Sequence, residues 1–387
     1  MSPALRLALP VLALAAALAP ALGQEAPREP AEIVRSLHTL QDRIAHGSTD
    51  AHLSQRALLA QIAEQLALAR PEAWKDARNA RAAVAFVLSG GDPRLLRRLA
   101  GQGVLAGMDE ALVQGALAYG ESRNAEAADL LGRIDARSLD PSIAGHVALV
   151  QAELVAAKSP KKALAFLDDA RLLSPGTLVE EAALRRQIAI VATAKDLDRF
   201  DMLSTNYLRR FAKSVYAGSF RRQFAADVAG REDAGNASRT ARLAAALEAL
   251  DPADCRDIYL AIAREALIKG KVELTRFAAD GTVRLVEEAS AERRRASLYA
   301  AAVLVVTEDF DKGVSALEAM DRGGLDEEDA ELLDAARSVA AEVRRQPVPN
   351  DAPSRVRGED AATTVQIAET ARQTMARADR LIETASK

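Results

Sequence analysis

Four histidines, a single cysteine, several adjacent carboxylate pairs and a series of double arginines are the residues of this 387-residue chain able to do chemistry. His38, His46 and His52 share one stretch with Asp42 and Asp50, and His146 stands apart. The spacings of eight and then six residues do not stack two imidazoles on one helical turn, as an i, i+4 ligand pair would. These histidines are therefore read as surface or capping groups, with no metal expected. The glycine clusters Gly90-Gly91-Asp92 and Gly101-Gln102-Gly103 have no strand ahead of them and no Gly-Lys-Ser/Thr, so they are read as helix ends and not as phosphate loops. The pairs Glu180–Glu181, Glu287–Glu288 and Glu327–Glu328 are expected to be solvated helix surface. Neighbouring residues on a helix point about 100° apart and do not converge on one substrate atom. Cys255 has no intrachain disulfide partner and is expected to be a buried small hydrophobe near a helix start. Neither a catalytic residue nor a cofactor is assigned.

The arginines remain. Arg185–Arg186, Arg209–Arg210 and Arg221–Arg222 recur, with Glu180, Glu181, Asp196 and Asp227 nearby to balance them. Glu181 and Arg185 stand at i, i+4 in the favourable order. A guanidinium fork pairs readily with carboxylates, so Glu181, Arg185, Arg186, Arg209, Arg210, Arg221 and Arg222 are taken as the candidate partner-binding set. Overall the chain is slightly acidic, at a formal charge of −4, and carries no basic face of the size nucleic acid requires. Trp74, after Arg70-Pro71, reads equally as an interface anchor or as a staple for the first helices. Phe86, Leu88, Phe166, Phe200, Tyr207, Phe211, Phe220 and Phe224 read as core.

The elements that position these residues are helices. The chain is 49% hydrophobic but only 4% aromatic, with alanine throughout, a composition for helix against helix rather than for sheet. Asp92-Pro93, Asp140-Pro141, Ser159-Pro160 and Asp251-Pro252 each set a capping side chain before a proline, which suits the first helical position because no donor is needed there. Thr177-x-x-Glu180 is a capping box, with Pro175-Gly176 ending the helix before it. Helical stretches break at Gly120, at Lys158-Ser159-Pro160, at Ala194-Lys195, at Gly270 and at Thr307. They recur at the ~34 to 40 residues of a tetratricopeptide-like helical hairpin. The predicted fold is all-α, a solenoid of antiparallel helical hairpins over 24–345, opening with helices near Ile33–Ala45 and Leu53–Ala69 and closing with Asp326–Arg345. A proline-rich linker over 346–360 follows, and then a C-terminal helix in 361–387 with a thin stripe of Ala361, Ala368, Met375 and Ile382.

At the other end, Arg6, the apolar run Leu7–Leu18 and small residues at Ala19-Pro20-Ala21 and Ala21-Leu22-Gly23 have the layout of a cleavable signal peptide over 1–23. The run is shorter than the ~20 residues of a transmembrane helix, and no later segment is apolar enough to span. Export to the periplasm is the expectation, with no membrane span once the signal is removed.

The tract Ser174-Pro-Gly-Thr-Leu-Val-Glu-Glu-Ala-Ala-Leu-Arg-Arg-Gln-Ile-Ala-Ile190 resembles a segment of the MotC family of periplasmic motility proteins. Arg35-Ser-Leu-His-Thr-Leu-Gln-Asp-Arg43, Leu88-Ser-Gly-Gly-Asp-Pro93, Arg209-Arg-Phe211 and Tyr216-Ala-Gly-Ser-Phe220 are similar to the same family in the same order, so the resemblance runs from about residue 33 to 225. It implies a non-enzymatic protein required for flagellar rotation, acting as chaperone or regulator of the stator protein MotB; it carries no functional residue over. Two rival readings are an adaptor for another envelope complex and a cell-wall lytic enzyme. The second would need a lysozyme-like domain after the helical array, for which the residues following Arg345 are too few.

Overall fold

In the computed structural model, residues 28–345 are described apart from Ala106 and Ala249; the signal-like segment, the proline-rich linker and the C-terminal helix expected from sequence lie outside them. Every regular element among the described residues is helical. The first hairpin is α1 (Pro30–Ala45) and α2 (Thr49–Ala67), followed by α3 (Ala77–Leu88) and α4 (Pro93–Gly101), and by α5 (Glu110–Gly120) and α6 (Asn124–Leu131). Next come α7 (Pro141–Val155) with α8 (Pro160–Leu173) and α9 (Leu178–Thr193) with α10 (Leu197–Phe211). Then follow α11 (Ala217–Ala229), α12 (Ala237–Leu247), α13 (Pro252–Ile268) with α14 (Val272–Val283), α15 (Ala291–Leu304) with α16 (Phe310–Ala319), and α17 (Glu327–Arg344). The chain divides into two compact units, Met1–Leu333 and Asp334–Lys387; the described part of the second is the latter portion of α17.

Helix starts follow the sequence signals, with two instructive departures. Asp92 and Asp140 cap α4 and α7 by accepting from the N–H groups of Arg94 and Ser142. Ser159 and Asp251 precede their prolines as expected, but neither side chain caps. Asp251 instead turns to Lys213 at 2.9 Å, so an ion pair has displaced the cap. The capping box is also altered. Thr177 Oγ1 accepts from the Glu180 N–H, while the Glu180 carboxylate accepts from the Gly176 N–H at 2.6 Å rather than from that of Thr177. Cys255 is buried in the first turns of α13, and burial pushes its thiol up. Trp74 sits in a short 3₁₀ turn, Pro71–Lys75, and is 2% exposed, so it is a staple and not an interface anchor.

Within the first unit the first helices of the hairpins pack on one another: α3 on both α5 and α7, α7 on α9, and later α11 on α13 and α13 on α15. They make one layer, here termed the inner layer. The second helices α8, α10, α14 and α16 pack behind it, each against the first helix of its own hairpin. Large apolar side chains fill the space between, including Phe86, Phe200, Tyr207 and Phe211, while Phe166 is half-buried at the margin. This arrangement is the all-α stack of helical hairpins expected from sequence. One helix departs from it. α1 packs on α3 and also on α9, and its His38 ring stacks on His146 of α7 at 4.7 Å. The N-terminal helix thus lies across three inner-layer helices.

Candidate partner-binding site

The start of α9 is where the chain brings its most distant segments together. At its N-terminus the Leu178 N–H donates to the Asp42 carboxylate of α1 at 3.3 Å. Burial raises the Asp42 pKa, and this backbone bond works against the rise. In the last turn of α1, the Ile44 carbonyl accepts from the Val215 N–H in the turn between α10 and α11. The corner closing α1 is Gly47, whose φ of +100° favours glycine and whose missing side chain admits the Lys213 carbonyl. A Cβ there would stand 2.5 Å from that oxygen.

Glu180 and Glu181 are not solvated surface, as adjacency on a helix led us to expect. They are 2% and 0% exposed. Glu181 accepts from Arg185 Nε at 2.8 Å, from the Tyr207 hydroxyl at 2.8 Å and from Ser214 Oγ at 3.3 Å. Glu180 holds the Gly176 N–H and Arg210 Nη2, the latter at 2.7 Å. A buried carboxylate is tolerated only when its oxygens are paired in this way. Burial, then the Glu181 charge, pushes the Tyr207 phenol well above its ordinary range, so it stays a hydrogen-bond donor. Arg185 also lies over the Tyr216 ring at 4.6 Å, and Tyr216 makes a T-shaped contact with His52 on α2.

The seven candidate residues therefore separate. Glu181 is interior: a partner cannot reach it, and it acts by holding α9, α10 and the turn into α11 in register. Arg185 is committed to Glu181, Arg186 reaches Glu153 of α7 at 2.8 Å, Arg210 is tied to Glu180 and Arg221 faces Asp254 at 3.5 Å. Arg209 and Arg222 are exposed and have no ion pair among the described residues. Sequence reasoning weighed Asp42 only beside the histidines, read Tyr207 only as core, and gave Ser214 and Tyr216 no place in the site. The available signal was the apolar character of α9 on all sides, since a helix hydrophobic all round belongs in the interior and takes its carboxylates with it.

All the segments that carried the family resemblance meet here. Asp42 comes from the first, Glu180 and Glu181 from the central tract, Arg210 and Tyr216 from the last two, and the Ser89 carbonyl of the remaining one accepts from Gln41 of α1. A family model described as Chemotaxis protein MotC matches residues 1–387. The chain belongs to the MotC family. Its similarity extends to the protein named Chemotaxis protein MotC of Rhizobium meliloti (strain 1021), which is 30% identical over 320 residues, covering 82% of this chain and 73% of that one. No solved structure matches. Membership makes this a chemotaxis and motility protein. Among the described residues of this MotC-family chain, no helix is long and apolar enough to cross a membrane.

Proposed function

We propose that this chain is a periplasmic, non-enzymatic motility protein that serves flagellar rotation by binding a protein of the motor, the stator protein MotB. The match of the MotC family model to the whole chain carries the reading. Two further features support it: the signal-peptide layout of residues 1–23, and an inner layer of stacked helices of the kind repeat proteins offer to extended or helical segments. In this reading Glu181 and Arg185 set the frame from within. Arg186, Arg209, Arg210, Arg221 and Arg222 face the partner, with Arg209 and Arg222 ready to accept a carboxylate without breaking an existing pair.

Deletion of the gene tests it. Cells are expected to build normal filaments that do not rotate, and expression of the full chain is expected to restore swimming. Cells that swim normally without the gene would end the motor reading. Replacement of residues 1–23 by a start codon is expected to abolish rescue, because the chain then stays inside the cytoplasm.

A further inference from the structure

Among the described residues the array of hairpins is interrupted at α12. α12 packs chiefly against α10, where its place in the order would set it against α11. The misfit leaves a cleft of about 480 Å³ between α10, the end of α11 and α12. Its floor is apolar, made by Phe224, Val228 and Leu243. At the rim stands Met202, 53% exposed, a flexible thioether of the sort that adapts to an incoming apolar surface.

Two polar groups of the cleft have no partner among the described residues. Ser204 lines it, is 2% exposed, and its hydroxyl has no hydrogen-bond partner. A helical serine usually bonds back to the preceding turn, as its neighbour Thr205 does to the Asp201 carbonyl at 2.8 Å. The Ser204 hydroxyl does not, and an unsatisfied buried hydroxyl is costly. The second is Arg209 at the mouth, exposed and without an ion pair among the described residues. The other arginines around the cleft are compensated: Arg231, Arg239 and Arg242 all converge on Asp201. The cleft thus has an apolar interior, one free hydroxyl within and one unneutralised cation at the entrance.

We propose that the α10–α12 cleft receives a segment of the protein partner that carries a large apolar side chain with a carboxylate within one turn of it. The side chain fills the cleft over Phe224 and Val228, a polar group of the segment meets Ser204, and the carboxylate pairs with Arg209. A buried apolar anchor ringed by charge is the usual form of an energetic centre in a protein interface. This inference rests on the reading of the chain as a protein-binding motility component, and adds to it the chemistry of the partner.

A random 16-residue peptide library displayed on phage and selected on the intact chain is the probe. The expected peptides carry Leu, Phe, Trp or Met beside Asp or Glu. They are expected to bind about tenfold or more weakly to Ala245→Trp, which overfills the cleft from an exposed position, and to Arg209→Glu. Arg56→Glu, a charge reversal on the exposed face of α2 away from the cleft, is expected to leave them unchanged. Indifference of the selected peptides to both cleft variants would overturn the proposal, as would failure to select any peptide while 8-anilinonaphthalene-1-sulfonate binds the cleft, which would make it a small-molecule site. Both variants are surface changes, and an unchanged helical circular dichroism spectrum and melting transition check that they fold. In the deletion strain, Ala245→Trp at normal abundance is expected to fail to restore swimming. Full restoration by Ala245→Trp, with the deletion strain still immotile, would reject the cleft and leave the motility function standing.

Discussion

The two halves of the first unit contain the same polar device in different settings. In the N-terminal half, Glu181 is fully buried and accepts from the Tyr207 hydroxyl and from Arg185. In the C-terminal half, Asp329 is fully buried and accepts from the Tyr299 hydroxyl at 2.6 Å and from Arg295 at 2.5 Å. Each triad pins one helix to another from inside an otherwise apolar layer, and in each the tyrosine phenol is pushed up, by burial first and then by its carboxylate partner. The settings differ. Around Glu181 the inner layer is covered by α1, through Asp42, His38 and Ile44. Around Asp329, Arg295 borders a charged groove of about 410 Å³ with Arg222 of α11 and Arg264 of α13, and no described helix crosses α11 and α13 as α1 crosses α3, α7 and α9. A common stabilising element thus serves a closed surface in one half and an open one in the other, and the cover, not the triad, distinguishes them.

Removing the two carboxylates tests that equivalence most severely. Glu181→Ala and Asp329→Ala are each expected to cost about 3–5 kcal/mol in denaturant unfolding, because each strands a buried tyrosine hydroxyl and an arginine. Hydrogen exchange is expected to show protection lost over α9–α11 for the first variant and over α15–α17 for the second. A loss below about 1 kcal/mol in either would show that its triad does not hold its half together.

Gly47→Ala probes the cover alone. The added methyl meets the Lys213 carbonyl, and the residue must hold φ at +100°. A cost of about 1–3 kcal/mol is expected, with exchange accelerated in α1 and α2 and unchanged in α13–α16. Uniform loosening of both halves would mean that α1 is not a separable cover.

The stacked histidines make the same cover sensitive to acid. Burial lowers the pKa of His38, and burial together with the His38 charge lowers His146 to about 3. Both folded-state values lie below the ordinary 6.5, so the unfolded chain takes up protons first as pH falls. Stability from this pair is complete above pH 6.5 and declines below it, by at most about 1.4 kcal/mol per pH unit for each histidine. The double variant His38→Gln/His146→Gln is expected to flatten the fall in stability between pH 6 and pH 4. An unaltered slope there would show that other groups set the acid response.

The smallest effect is expected in the open half. Arg264 pairs with Glu328, whose side chain is 78% exposed, at 3.0 Å. Glu328→Ala is expected to change unfolding free energy by less than about 1 kcal/mol, as for most exposed pairs. A larger loss in the melting transition would place this pair in the core of the half.

Local features of the fold were legible because they are local in cause. Asp92-Pro93 and Asp140-Pro141 cap helices through bonds to N–H groups two residues on, so neighbours in sequence decide them. The i, i+4 pair Glu181–Arg185 forms for the same reason. Ser159 and Asp251 mark the edge of that legibility: each stands correctly before its proline, yet neither side chain caps its helix, and Asp251 instead meets Lys213 from elsewhere in the chain. For the burial of Glu180 and Glu181 the sequence held only the all-round apolar background of α9 and nothing of the partners, since Tyr207, Arg210 and Ser214 arrive from the following helix and turn.

By itself the sequence determined the all-helical class, several helix starts and hairpin turns and the family to which they belong, since propensity, capping and short loops act between near neighbours. Only the tertiary structure decided that α1 turns back across the inner layer, that two glutamates become interior, that His38 finds His146, and that α12 leaves a cleft beside α10. Those outcomes depend on which surfaces meet after the hairpins stack, and a contact between distant segments leaves no spacing in the chain by which to read it.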